Sequence, residues 1–218
     1  MKREIIILIV IIVFSFLIGY LGNDLIIGGS ILTTGLLCSY YASNGKKINY
    51  VFGFINYLLM AYVSYKNNLY GMLIFYTLIF APLQIKGLIE WNKEFDKNQK
   101  LKIRKFTLKN SIIIVLSCLI SSCILAYLLH LIPTQRLAFL DALSNCINLW
   151  GVILMILRFR ESWWVWLANN IIDVVIWAIV FIAGGIGSFM MLAVSIGFLL
   201  INIYGIISWN KDAKLRRK

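Results

Sequence analysis

Of the 218 residues in this chain, 61% are apolar and 14% charged, and the mean hydropathy is +0.86, values outside the range of soluble globular domains. The net charge of +12 would suit nucleic acid, but the bases are confined to short loops between apolar runs, which is how a membrane-topology signal is written. No stretch outside those runs is long enough for a soluble domain, so an ordinary soluble enzyme and a nucleic-acid-binding module are both set aside.

Apolar segments long enough to cross a bilayer, roughly 17 to 25 residues each, fall at 4–21, 25–41, 48–65, 69–91, 110–131, 137–157, 163–183 and 187–209. The fold class read from them is an all-α integral membrane protein with eight transmembrane helices. The opening MKREIIILIVIIVFSFLIGY lacks a small-residue cleavage site and its apolar run is too long for a signal peptide. Residues 1–22 are therefore expected to remain as an extra first helix outside the core. Counting loops from a cytoplasmic N-terminus puts Lys2, Arg3, Lys46, Lys47, seven bases from Lys93 to Lys109, Arg158, Arg160 and five bases from Lys211 to Lys218 on one face, 18 of the 21. Lys66 and Arg136 fall on the other face, and Lys86 lies within a helix near its cytoplasmic end, where it can snorkel. The positive-inside rule then gives a multi-pass protein of the cell membrane with both termini cytoplasmic.

The chain repeats itself. FAPLQIKGLIEWNKE (80–94) lies over FLLINIYGIISWNKD (198–212) at an offset of 118, which pairs Gln84 with Asn202, Gly87 with Gly205 and Trp91 with Trp209. GKKINYVFGFIN (45–56) lies over FRESWWVWLANN (159–170) at offset 114, pairing Asn56 with Asn170, and Asp24 falls on Asp141 at offset 117. Spans two to four thus match spans six to eight. Two consecutive three-helix units would be inverted unless one more crossing intervened, and the fifth span is that crossing, so the repeats are expected to be parallel about an axis along the membrane normal. The expected divisions are 1–22 for the extra helix, 23–92 for the first repeat, 93–136 for a basic cytoplasmic loop and linker helix, 137–210 for the second repeat and 211–218 for a basic cytoplasmic tail.

Chemistry is scarce elsewhere. The four cysteines (Cys38, Cys118, Cys123, Cys146) have no CxxC spacing, so neither a disulfide framework nor a zinc site is indicated. His130 is the single histidine and no GxxxxGK[ST] is present, which removes most triads, HExxH chemistry and a nucleotide-hydrolysing loop. No cofactor or metal is called for.

The seventh span is different. Trp163, Trp166, Asn170, Asp173 and Trp177 are spaced 3, 4, 3 and 4, so on a helix they form one stripe, while Trp164, Ala168, Ile171 and Val175 point elsewhere. A mid-membrane aspartate costs roughly 2.5 to 3.5 kcal/mol on insertion scales, and such groups face a bundle interior or a watered cavity. Trp163 and Trp164 could equally be interfacial belt residues, and Asn170 could bond a neighbouring helix. Asp141, Asn145 and Asn148 share a face of span six, and Pro82, two residues before Gln84, should kink span four. Amides that donate and accept beside flat rings suit a heterocycle bearing hydroxyls, and a carboxylate adds attraction for a cation. Position 173 pairs by repeat with Leu59, so only the second half supplies the acid.

These runs resemble the PnuC family of vitamin-precursor transporters, through GKKINYVFGFIN, AYVSYKNNLYG, PLQIKGLIEWNK, LDALSN, ESWWVWLANN and IYGIISWNK, over most of the chain from Gly45 to Lys211. The resemblance implies a three-one-three core similar to the SWEET sugar transporters, preceded by an extra helix, and facilitated uptake of nicotinamide riboside trapped inside by phosphorylation, with relatives carrying thiamine, deoxynucleosides or riboflavin. Gln84, Asn202, Trp163, Trp166, Asn170, Asp141 and Glu161 match family motif positions. Val152 stands where the family has a polar residue, often glutamine, and Asp173 where it often has a small or aromatic one.

The reading is a facilitator whose two three-helix units rock about a midplane pocket, with substrate groups drawn from Trp163, Trp166, Asn170, Asp173, Gln84, Asn202, Asn56, Asn145, Asn148, Asp141 and Trp177. Glu161, beside Arg158 and Arg160, reads as a loop ion pair or helix cap before a ligand. The partners expected are a small cationic or neutral vitamin or nucleoside and the lipid bilayer; a homo-oligomer is compatible, but no residue sets a subunit number. Rival readings are the substrate-binding subunit of an energy-coupling importer, whose Ala-xxx-Ala docking face is missing from spans two and three, and a scaffold or membrane enzyme, for which no catalytic set is present.

Overall fold

A computed structural model describes residues 2–93, 101–106 and 108–215. Of the bases assigned above to one face, Lys97, Lys100, Arg216, Arg217 and Lys218 lie outside the described residues. The described elements are helical: α1 (Lys2–Leu21), α2 (Ile27–Ser43), α3 (Asn49–Lys66), α4 (Tyr70–Ile74), a π-helical turn (Phe75–Phe80), α5 (Ala81–Lys93), α6 (Leu108–His130), α7 (Ala138–Ile156), α8 (Ser162–Ile182) and α9 (Ser188–Leu215). The segment from α4 through the π turn to α5 is one continuous helix, Tyr70–Lys93. A kink is expected at Pro82; the structure has that π turn ending two residues before the proline. Proline cannot donate to the carbonyl one turn back, and Thr77 returns its hydroxyl to the Leu73 carbonyl at 2.8 Å, so the helix widens just before the proline.

Six described helices are long and apolar enough to cross a membrane: Glu4–Leu21, Tyr70–Lys93, Ile112–His130, Ala138–Ile156, Ser162–Ile182 and Ser188–Lys211. The other two predicted spans form α2 and α3, which are short and carry internal polar residues such as Thr34 and Asn56. α2 has no exposed residue, so little of its surface has to be apolar, whereas α3 turns Val51, Ile55, Leu58, Tyr62 and Tyr65 outward and keeps Asn49, Asn56 and Ser64 buried.

Helix packing closes a ring. α2 packs on α3, α3 on the α4–α5 helix, that helix on α7, α7 on α8, α8 on α9, and α9 back on α2. α1 lies outside the ring on α2, and α6 lies outside it on α7. One end of the ring carries the start of α1 and the end of α9: Glu4 in α1 pairs with Lys46 after α2, and Ser208 near the end of α9 donates to the Ser43 carbonyl at 2.9 Å.

At that end α2 and α7 stop in the same way. Gly45 and Arg158 adopt left-handed φ values of 65° and 64°. Gly45 donates to the Ala42 carbonyl (3.0 Å) and Lys46 to Tyr41 (2.9 Å), while Arg158 donates to Met155 (2.9 Å) and Phe159 to Leu154 (2.8 Å). Both are the paired 5→2 and 6→1 bonds of a Schellman cap. Residues 101–106 lie across this end, with the Arg104 N–H on the Arg158 carbonyl (2.8 Å) and the Arg160 N–H on the Arg104 carbonyl (3.1 Å). Glu161 accepts from the Phe106 N–H at 3.1 Å and pairs with Arg160 at 2.8 Å, the loop tie anticipated for it.

The glycines paired by sequence have a shared steric purpose. A Cβ on Gly87 would meet the Tyr50 ring at 2.1 Å, and one on Gly205 would meet the Trp163 ring at 2.3 Å. In each half, an aromatic ring from the middle helix lies flat on the last helix, which only a residue without a side chain permits.

Candidate functional site

A cavity lies within the ring, and its wall is assembled from both halves. α8 contributes Trp166, Asn169, Asn170 and Asp173, the central part of the predicted stripe plus one residue beside it. α9 adds Phe198 and Asn202, and α7 adds Asn148. From the first half come Cys38 and Ser39 of α2, Gly53, Asn56, Tyr57 and Met60 of α3, and Tyr76, which sits in the π turn. Trp166 holds its place because Gly151 lies behind it, where a Cβ would come within 2.3 Å of the indole.

The polar groups fall into two kinds. The Asn202 Nδ2 is buried, and among the described residues it has no hydrogen-bond partner. An orphaned buried donor costs about 1 to 3 kcal/mol, so its place on a cavity wall is that of a group awaiting an acceptor. Asn56, by contrast, has committed its amide hydrogens to the Ile31 carbonyl (2.8 Å) and the Thr34 hydroxyl (3.0 Å). It offers the cavity only its carbonyl oxygen.

Asp173 is 8% exposed, and both its oxygens are held. Ser144 donates to Oδ1 at 2.5 Å and Asn169 Nδ2 donates to Oδ2 at 2.7 Å. These neutral donors orient the carboxylate without cancelling its charge, and unused lone pairs remain for a ligand. Among the described residues, neither lysine nor arginine lines the wall. The cavity therefore combines one acid, several amides and aromatic rings, with no basic group.

Five of the predicted site residues do not line this cavity. Trp163 is fully buried between the Gly205 backbone, Trp209 and Trp166, with centroids 5.9 and 5.5 Å away, so it is not a belt residue either. Trp177 is 1% exposed within the hydrophobic core. Gln84 packs behind the wall, its Oε1 occupying the space that a Cβ on Gly53 would need. Asp141 is spent at the opposite end of the bundle, accepting from the Gly71 N–H (3.1 Å), Gln135 (2.7 Å) and Asn145 (2.7 Å), which also commits Asn145. The structure thus gives Asp141 and Asn145 the role of joining the start of α4 to the start of α7.

A family model described as "Nicotinamide mononucleotide transporter" matches residues 25–211. The chain belongs to this PnuC transporter family. It is 31% identical over 186 residues to a nicotinamide riboside transporter PnuC of Neisseria mucosa, covering 83% of this chain and 70% of that protein. With the PnuC of Haemophilus influenzae it shares 27% identity over 184 residues, covering 83% and 77%. A solved structure described as the vitamin B3 transporter PnuC superposes with a TM-score of 0.83 at 27% identity, covering 97% of this chain and 92% of the other. The chain is accordingly a membrane transporter of a small molecule and not an enzyme.

For this PnuC member, sequence reasoning missed Asn169, Ser144, Tyr57, Tyr76, Met60, Cys38, Ser39 and Phe198. Asn169 and Ser144 had a usable signal, since a mid-membrane carboxylate requires donors and Asn169 lies one turn before Asp173. The aromatic and small residues stand in apolar runs and carry no distinguishing mark.

Proposed function

We propose that this chain carries nicotinamide riboside into the cell by facilitated diffusion, as the names of its relatives suggest, with the product trapped by phosphorylation inside. The observation that carries the choice is the cavity wall, whose described residues include the Asp173 carboxylate and no base. Nicotinamide riboside pairs a cationic pyridinium with a carboxamide and ribose hydroxyls. Asp173 opposes that charge, Trp166, Tyr57 and Tyr76 offer ring faces, and Asn202, Asn170 and Asn148 answer the amide and hydroxyls. The mononucleotide that appears in the family's description adds a phosphate, which among the described residues of this wall would find no cationic partner and would share the cavity with the Asp173 carboxylate.

The reading includes eight crossings, both termini in the cytoplasm and a parallel three-one-three core of the SWEET kind. Its support is the matched α2 and α7 caps, the matched Gly87–Tyr50 and Gly205–Trp163 contacts, and the ring in which α2, α3 and α5 correspond to α7, α8 and α9. Uptake by the purified chain in proteoliposomes without ATP is the test. Radiolabelled nicotinamide riboside should enter and should be displaced by excess riboside but not by the mononucleotide. Uptake that requires an added ATPase, or displacement by thiamine and not by riboside, would overturn the assignment.

A further inference from the structure

The aromatic groups beyond the cavity form a second construction, at the end that carries the start of α1 and the end of α9. Trp91 at the end of α5 and Trp209 near the end of α9 are both fully buried, with ring centroids 6.2 Å apart. They lie about two turns, or roughly 10 Å along their helices, beyond Gln84 and Asn202. Each indole N–H bonds across a seam between the two three-helix units. Trp91 Nε1 donates to the Met155 carbonyl of α7 at 3.0 Å, and Trp209 Nε1 donates to the Ala42 carbonyl of α2 at 3.1 Å.

These two acceptors are equivalent. Ala42 and Met155 are each the penultimate residue of their helix, and each already accepts the turn amide of a Schellman cap. Helix-end carbonyls lack the intrahelical N–H that interior ones have, so a second donor is readily accommodated. The two indoles therefore make reciprocal bonds, third helix of one unit to first helix of the other. Trp163 sits edge-on to Trp209 and to Trp166, and Trp166 is part of the cavity wall. A continuous line of indole contacts runs from the solute cavity to the seam.

We propose that Trp91 and Trp209 form a reciprocal latch that closes the path between the cavity and the membrane face at which α1 starts and α9 ends, opening when each indole N–H leaves the helix-end carbonyl of the opposite unit. The latch rests on the two-unit reading given above. Coupling to the solute follows from the contact line, because a ring seated against Trp166 bears on Trp163, and Trp163 bears on Trp209. Each bond has a net worth that corresponds to roughly a two- to tenfold change in the open-to-closed ratio.

Cys38 is a native reporter, since it lines the cavity. The full chain, with Cys118, Cys123 and Cys146 replaced by alanine, is placed in vesicles whose orientation is read from a terminal tag. A membrane-impermeant maleimide is applied from each side. Trp91→Phe and Trp209→Phe keep a ring but remove the N–H, and each should speed Cys38 labelling from the tag side roughly two- to tenfold, with no gain from the opposite side. Asn67→Ala, which removes the bond from Asn67 Nδ2 to the Ile186 carbonyl (2.7 Å) at the far end, should do the reverse. Unchanged labelling in both tryptophan variants, or equal gains on both sides, overturns the latch. With Cys38 also replaced by alanine, and with the uptake of that variant before joining as the reference, Trp91→Cys with Trp209→Cys joined by a short reducible bifunctional thiol reagent should lose uptake and regain it on reduction. Uptake that persists while the pair is joined also overturns the proposal, and recovery on reduction shows that the fold survived. Nicotinamide riboside binding is followed in the same vesicles. If no variant binds it but Cys38 labelling still responds, the latch stands and the substrate assignment falls.

Discussion

Gly151→Ala tests whether Trp166 is held at the cavity wall by the space behind it. The new Cβ would lie 2.3 Å from both Cδ1 and Nε1 of the indole. Carbon atoms rest at about 3.5 to 4.0 Å, so the ring has to move by about 1.2 to 1.7 Å. Trp163 stands at 5.5 Å centroid distance on one side, so the open direction is into the cavity. Overpacking of this kind costs about 1 to 3 kcal/mol, and because the displaced ring occupies ligand space, the cost should fall on binding. The dissociation constant for nicotinamide riboside should rise about 5- to 150-fold with little change in Tm. Calorimetry on purified protein measures this directly. Trp166→Phe weakens binding by itself but makes room for the added methyl, so Gly151→Ala should add almost nothing in that background. Wild-type affinity in Gly151→Ala, or simple additivity in the double variant, refutes the account of Trp166.

Three other substitutions separate the roles of neighbouring residues. Asp173→Asn keeps the shape and removes the charge: its Oδ1 can still accept from Asn169, while its new Nδ2 donates to the Ser144 hydroxyl, reversing that bond. At roughly 5 Å and an effective dielectric of 20 the lost attraction is about 3 kcal/mol, so binding of the cationic riboside should fall about 100-fold while a neutral nucleoside changes little; equal losses in a competition assay count against the charge role. Gly205→Ala presses a methyl to within 2.3 Å of Trp163, which has no cavity to enter, and thermal unfolding should drop by about 2 to 12 °C. Asp141→Ala removes the acceptor of the Gly71 N–H and one of the two acceptors of Gln135 and of Asn145, so it should lower Tm while leaving the preference for riboside over mononucleotide unchanged; altered selectivity with unaltered Tm would return Asp141 to the binding site.

The helical class and the buried face of α8 were legible in the sequence because they depend on period and polarity alone. The same periodicity could not tell where along the stripe the cavity begins and ends. Trp163 and Trp166 are one turn apart with the same chemistry, yet Gly205 lets Trp163 tuck against α9 while Gly151 leaves Trp166 on the wall. The repeat pairing of Gly87 with Gly205 is visible as spacing, but its reason is a ring lying on each backbone, and those rings come from other helices, Tyr50 on α3 and Trp163 on α8. Tyr76 reaches the cavity from a π turn, whose only written trace is Thr77 followed by Pro82. Asp141 looked like Asp173 in sequence because both are acids in apolar runs; their difference lies in partners brought from α4 and from the loop before α7.

The most direct test of the central claim is a structure of the chain with nicotinamide riboside bound. The account predicts density for the pyridinium beside Trp166 with Asp173 within a few ångströms, and the Asn202 amide donating to the ligand. Ligand density elsewhere, with the cavity still empty and the Asn202 donor still unpartnered, would contradict it.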